Sequence, residues 1–157
     1  MIFPTWKTIT IGTFRTIDEL RLAILGKGFR IGDWASDVLA SPTFTLASER
    51  KEINLVKVTS KDLGFNEGAY REDIYKQAQE LGLKICPLEI GPQLRLQYTD
   101  QPKIESLQIA METQVDSVGH PSQFRVVHGG DGFLWLVGDH KHEDDFWKAD
   151  ESFIFMK

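Results

Sequence analysis

The sequence predicts an α+β domain: a mixed, largely antiparallel sheet with two or three helices, the helices in the N-terminal half and the C-terminal half rich in strands. Three observations carry this expectation. Ahead of Pro87, strand-like and helix-like stretches alternate, whereas beyond it short strand-like runs follow one another. The stretch Leu134–Val137 (LWLV) is apolar at every position, as an internal strand requires. No repeat, low-complexity segment or linker interrupts residues 1–157, so a single domain with its helices on one face of the sheet is expected.

Taken in order, Thr5–Gly12 alternates, with Trp6, Thr8 and Thr10 on one side and Lys7, Ile9 and Ile11 on the other, which is a strand pattern. Thr16 opens T-I-D-E, a capping box in which the hydroxyl and Glu19 satisfy free amides at a helix start. Ile17, Leu20 and Ile24 form its apolar stripe, and Gly26 and Gly28 stop it. A short helix is expected over Asp33–Ala40, with Trp34 and Leu39 packed inward, and a loop over 43–51. Ile53–Val58 reads as a strand. Tyr70, Ile74, Ala78 and Leu81 recur at helical spacing before Gly82, and Leu83–Cys86 is a short apolar strand halted by Pro87. The later strands are Gln93–Tyr98, Glu105–Glu112, Phe124–His128, Phe133–Gly138 and Ser152–Met156. Gly129–Gly132 joins the third and fourth of these as a hairpin.

Composition narrows the class of partner. Eighteen Lys and Arg against 23 Asp and Glu give a net charge of −5, a poor match for a phosphate backbone, so no nucleic-acid partner is expected. Asp18–Leu39 loosely resembles a helix-turn-helix, but its second helix carries Asp33 and Asp37 and no basic residue. The lone Cys86 favours a reducing compartment. No leader and no apolar run of about 20 residues is present, so a cytoplasmic protein without a membrane partner is expected.

The segment DHKHEDD (139–145) looks the most chemical. On a strand, His140 and His142 would share a face and chelate a metal if Glu143 or His128 supplied a third donor. The pair resembles the metal strand of cupins. The glycine before it, the spaced glutamate after it and the second histidine motif are missing at matching positions. Five charged residues in seven suit a solvent-facing turn, so both imidazoles are expected in water and no metal or other cofactor is assigned.

A second candidate is CPLEIGPQLRLQY (86–98). On a strand, Gln93, Arg95 and Gln97 would face one way, a guanidinium between two carboxamides suited to a carboxylate, a phosphate or a partner's backbone. Pairing of Arg95 with Glu89, or simple solvation, is the structural alternative. Trp135 can be core or the floor of a pocket beside Arg95. No G-x-S-x-G, H-E-x-x-H or P-loop occurs; Cys86 reads as a small hydrophobe, and His120-Pro121 as loop punctuation.

The block GLKICPLEIGPQLRLQY at 82–98, with WKTITIGT at 6–13, is similar to a set of bacterial intracellular proteins without an assigned activity. The likeness runs on through the Gly-Phe-Leu-Trp-Leu strand to the C-terminal Phe-Ile-Phe. It implies a bacterial intracellular origin and supplies no site.

No catalytic residue is assigned, and whether a reaction is catalysed stays open. The leading expectation is a non-enzymatic binding module for a small anionic ligand or a protein partner, with Glu89, Gln93, Arg95, Gln97 and Trp135 as its ligand-binding face. The alternative is a metal-dependent enzyme built on His140 and His142.

Overall fold

The computed structural model describes residues 2–140 and 145–157. Strand β1 (Lys7–Ile11) leads to helix α1 (Ile17–Gly26), and the short β2 (Arg30–Ile31) to α2 (Asp33–Leu39). Then come β3 (Lys51–Thr59), β4 (Ala69–Tyr70), α3 (Arg71–Glu80) and α4 (Ile90–Gln97). The remainder is β5 (Ser106–Ile109), β6 (Gln114–Val115), β7 (Pro121–His128), β8 (Leu134–His140), β9 (Phe146–Trp147) and β10 (Ser152–Met156). The main sheet runs β1-β3-β10-β5-β7-β8-β2, with β6 attached to the start of β7. The β10–β5 and β8–β2 pairings are parallel and the others antiparallel. A separate antiparallel ribbon joins β4 to β9.

Alternation along the strands divides the interior in two. On β10, Ile154 faces one core while Phe153 and Phe155 face the other; on β3, Ile53 and Leu55 part from Val56 and Val58 in the same way. The larger core receives α1, α2 and α4 through Leu20, Ile24, Val38, Leu39, Ile90 and Leu94. The smaller receives Ile74 and Ala78 of α3. Each fully buried Leu, Ile or Phe contributes about 1.5–3 kcal/mol by leaving water. Helix α4 packs on β1 and also on β7 and β8, far apart in the strand order, so the sheet curls around it.

The mixed sheet, the helix-rich front and the strand-rich back agree with the expected class, and the Thr16 half of the capping box forms: Thr16 Oγ1 accepts the Glu19 N–H at 3.1 Å, while the Glu19 carboxylate accepts the Arg15 N–H at 3.2 Å. The Gly129–Gly132 hairpin forms too, pairing Val127 with Trp135 and His128 with Leu134. Other expectations need correction. The described residues hold four helices, on both faces of the sheet. Gln93–Tyr98 is not a strand; Ile90–Gln97 is helical and buried from Ile90 to Leu96. Leu83–Cys86 makes only isolated bridges, Lys84 to Met156 and Cys86 to Met111. Trp34 is not core but 51% exposed. Among the described residues, no helix is long and apolar enough to cross a membrane.

Cys86 is buried and lies 3.5 Å from the Ile154 carbonyl through its Sγ. Burial pushes its thiol pKa far up, so at pH 8 the thiolate fraction lies below that of a free cysteine. A disulfide reagent at pH 8 is expected to label essentially none of the native protein, and one thiol per chain after unfolding in guanidinium. Rapid stoichiometric labelling of the native protein would contradict this packing.

Candidate functional site

The sequence-predicted face dissolves into the fold's own backbone. Because α4 is a helix, Gln93 and Gln97 stand one turn apart on one side and Arg95 projects to another. Gln97 Nε2 donates to the Thr10 carbonyl at 2.8 Å and its Oε1 accepts the Thr10 N–H at 3.1 Å. It thereby closes the outer edge of β1, the terminal strand of the sheet. Glu89 is 1% exposed. Its carboxylate accepts the N–H groups of Gly12 at 2.9 Å and Ala47 at 2.8 Å, and Gln93 Nε2 at 2.9 Å.

Arg95 is fully buried. Its guanidinium donates to Gln101 Oε1 at 2.7 Å and to the carbonyls of Tyr98 (2.6 Å), Val127 (3.2 Å) and Trp135 (3.3 Å). Burial pulls its pKa down to about 10, with the nearby Tyr98 acting the other way, so it stays charged at neutral pH. Arg95 and Trp135 meet only through the Trp135 carbonyl, while the indole N–H turns to Asp131 at 3.0 Å. Arg95 does not pair with Glu89; each bonds to different parts of the chain.

A different set of polar groups converges beneath α2. Gly138 on β8 permits it: a Cβ there would meet Ala35 N at 2.8 Å and Trp34 C at 2.9 Å, so glycine lets the start of α2 lie directly on the strand. Trp34 then stacks on His140, ring centroids 3.7 Å apart and planes 18° from parallel. The turn between β6 and β7 closes the other side. There Asp116 Oδ1 accepts the N–H groups of Val118 (3.1 Å) and His120 (2.8 Å), and Asp37 Oδ2 accepts that of Ser117 (2.8 Å). With Oδ1 occupied by the turn, Asp116 Oδ2 faces His140 Nε2 at 3.0 Å and His120 Nδ1 at 3.6 Å. The two imidazoles have centroids 4.6 Å apart.

Asp116, His120 and His140 thus each offer one ligand atom, all within 4.8 Å of one another. His140 Nε2 is shielded from solvent and makes no hydrogen bond among the described residues, because Oδ2 lies off the direction its ring N–H would need. Burial acts to raise the pKa of Asp116. The N–H groups of His120 and Val118, and then the two imidazoles, outweigh it and hold the carboxyl below its ordinary value. The cluster sits in a cleft of about 520 Å³ lined also by Asp33, Trp34, Asp37, Ser117 and Val118. A carboxylate between two imidazoles can hold a metal ion or a protonated group.

His140 therefore does not point into bulk water as expected; its side chain is 23% exposed and turned to Asp116. His142 and Glu143 lie outside the described residues. His128 stands apart from the cluster, its Nδ1 2.7 Å from the Gln101 carbonyl. The sequence reading missed Asp116, His120 and Trp34 as site residues. Asp116 and Gly119 flanking His120 are a turn signal, and a turn aims side chains that no periodicity reveals.

Comparison with protein-family models, with curated proteins and with solved structures finds no match to the chain. The site's own chemistry therefore carries the functional reading.

Proposed function

We propose that the protein is a binding module whose ligand is a cation received in the cleft beneath α2. The observation that supports this is the charge of the lining: among the described residues it carries three carboxylates and two imidazoles and no Lys or Arg. A concave wall of one sign concentrates ions of the other. The expectation of an anionic ligand rested on Arg95, which is fully buried, with both terminal nitrogens donating to backbone carbonyls or Gln101 and its Nε without a partner among the described residues. Preorganisation favours binding: two backbone N–H groups hold Asp116 and the Trp34 ring stacks on His140.

Titration of ¹⁵N-labelled protein with methylammonium, putrescine, Mg²⁺ and Ni²⁺, against phosphate, acetate and sulfate, tests the reading. Cations are expected to shift the amides of Ser117 and Val118 and the Trp34 indole, and Asp116→Asn to abolish those shifts. Shifts there with anions alone, or undiminished cation shifts in Asp116→Asn, would refute it.

A further inference from the structure

We infer that the cation is a divalent transition-metal ion, held by Oδ2 of Asp116, Nδ1 of His120 and Nε2 of His140. The inference rests on the cation reading of the cleft and goes beyond it in naming the ligand class.

Donor chemistry favours this class. Two imidazoles and one carboxylate suit Zn²⁺, Co²⁺, Ni²⁺ or Cu²⁺, whereas Ca²⁺ and Mg²⁺ seek all-oxygen shells. Spacing agrees. Ligands about 2.0–2.2 Å from a tetrahedral centre stand roughly 3.4 Å apart along each edge. The two separations from Asp116 Oδ2, 3.0 Å to His140 and 3.6 Å to His120, bracket that edge, and the ligand atoms of the whole set lie within 4.8 Å of one another. A metal at the centre would also use the two atoms that the fold otherwise leaves poorly served. These are the Nε2 of His140, shielded yet without a hydrogen bond among the described residues, and the Asp116 oxygen that the turn does not use.

Support from outside the donors is in place. Asp37 holds Ser117 and so the turn that carries Asp116 and His120, and Trp34 fixes the plane of His140. The three donors among the described residues would leave a coordination position for a further ligand, in a cleft lined also by Trp34, Val118, Asp33 and Asp37.

The test uses the full chain, purified without a histidine tag and stripped with a chelator. Isothermal titration with Zn²⁺, Ni²⁺ and Co²⁺ should give one ion per chain, and the Co²⁺ form should show visible d–d absorption of a low-coordinate nitrogen-containing site. His120→Ala and His140→Gln should each weaken binding by about 100-fold or more, because even outer-shell changes cost about 10–100-fold. His128→Gln, outside the cluster, should bind like the parent chain. The His120 side chain is 57% exposed, so its removal leaves the fold intact and loss of binding there reports coordination. Circular dichroism of each variant confirms that it is folded. Absence of stoichiometric binding, or binding unchanged in both cluster variants, overturns the inference. If the transition metals fail while methylammonium or putrescine still binds in an Asp116-dependent way, the cation cleft stands and the metal falls. If neither class binds, both fall.

Discussion

Replacing Arg95 with alanine is expected to cost about 3–5 kcal/mol of folding stability, the range in which a buried polar centre loses its keystone. Four acceptors from four parts of the chain meet on this one side chain: the Tyr98 carbonyl just past α4, Gln101 Oε1 in the loop that follows, and the Val127 and Trp135 carbonyls of β7 and β8. Hydrogen bonds to a charged donor contribute about 1.5–3 kcal/mol each when made, but the buried guanidinium carries a desolvation cost that its loss relieves, so the bonds do not simply add. Truncation also opens a cavity the size of the Arg stem. For a chain of this length the midpoint of thermal unfolding should fall by roughly 10 °C. Arg95→Lys should recover only part of the loss, because one ammonium cannot span acceptors that a planar guanidinium reaches on two nitrogens. Arg95→Met, which keeps the stem, separates the packing contribution from the polar one. Urea unfolding gives these values directly, and a loss under about 1 kcal/mol for Arg95→Ala would show that the network is not made.

That arginine also marks where sequence reading stops. Strands β1, β3 and β10 are legible because opposite faces meet different surroundings or different cores, and α1 because Thr16 and Glu19 announce its start. Helix α4 gives no such signal. With every residue from Ile90 to Leu96 buried, no polar face contrasts with an apolar one, and Leu94, Leu96 and Tyr98 imitate the two-residue period of a strand. Pro92 looks like a breaker, yet it falls in the first turn, where its missing N–H is not needed. Gly91 looks like a loop residue; a Cβ there would lie 2.6 Å from the Phe124 ring, so the glycine is the contact through which the helix settles on β7.

The candidate site was half legible. His140 stood out, but its partners come from register. The hairpin closed by Gly129–Gly132 returns His140 opposite Ser122, two residues beyond His120, and the tight turn before β7 brings Asp116 back beneath both rings. Aiming the imidazole inward also needs Trp34 laid on β8 beside Gly138, which no local pattern specifies.

Glu89→Gln is expected to lower stability by about 2–4 kcal/mol while leaving cation binding in the folded protein unchanged. The substitution is nearly isosteric, so no cavity forms. What changes is donor count. Both carboxylate oxygens are in use, Oε1 by Ala47 N–H and Oε2 by Gly12 N–H and Gln93 Nε2. A carboxamide has one oxygen, so whichever way it turns, its NH₂ confronts a half-buried backbone donor, Gly12 or Ala47 N–H, and takes away its acceptor. With its NH₂ on the Gly12 side it also loses the bond from Gln93, whose Oε1 accepts Gln97 Nε2, and so loosens the chain of amides that closes the β1 edge. Glu89→Ala should be at least as damaging, since it removes every acceptor. Neither Glu89 nor these partners line the cleft beneath α2, and substitutions without shared partners act independently. Asp116→Asn should behave in the opposite way. An asparagine Oδ1 can still accept the Val118 and His120 N–H groups and keep the turn, while the charged oxygen facing the imidazoles is lost. Denaturant unfolding of the two variants, set beside their cation titrations, should therefore show one protein weakened in fold and competent in binding, and the other folded and unable to bind. A Glu89→Gln chain as stable as the parent would mean that its carboxylate is not the three-way acceptor that joins α4, β1 and the loop before β3.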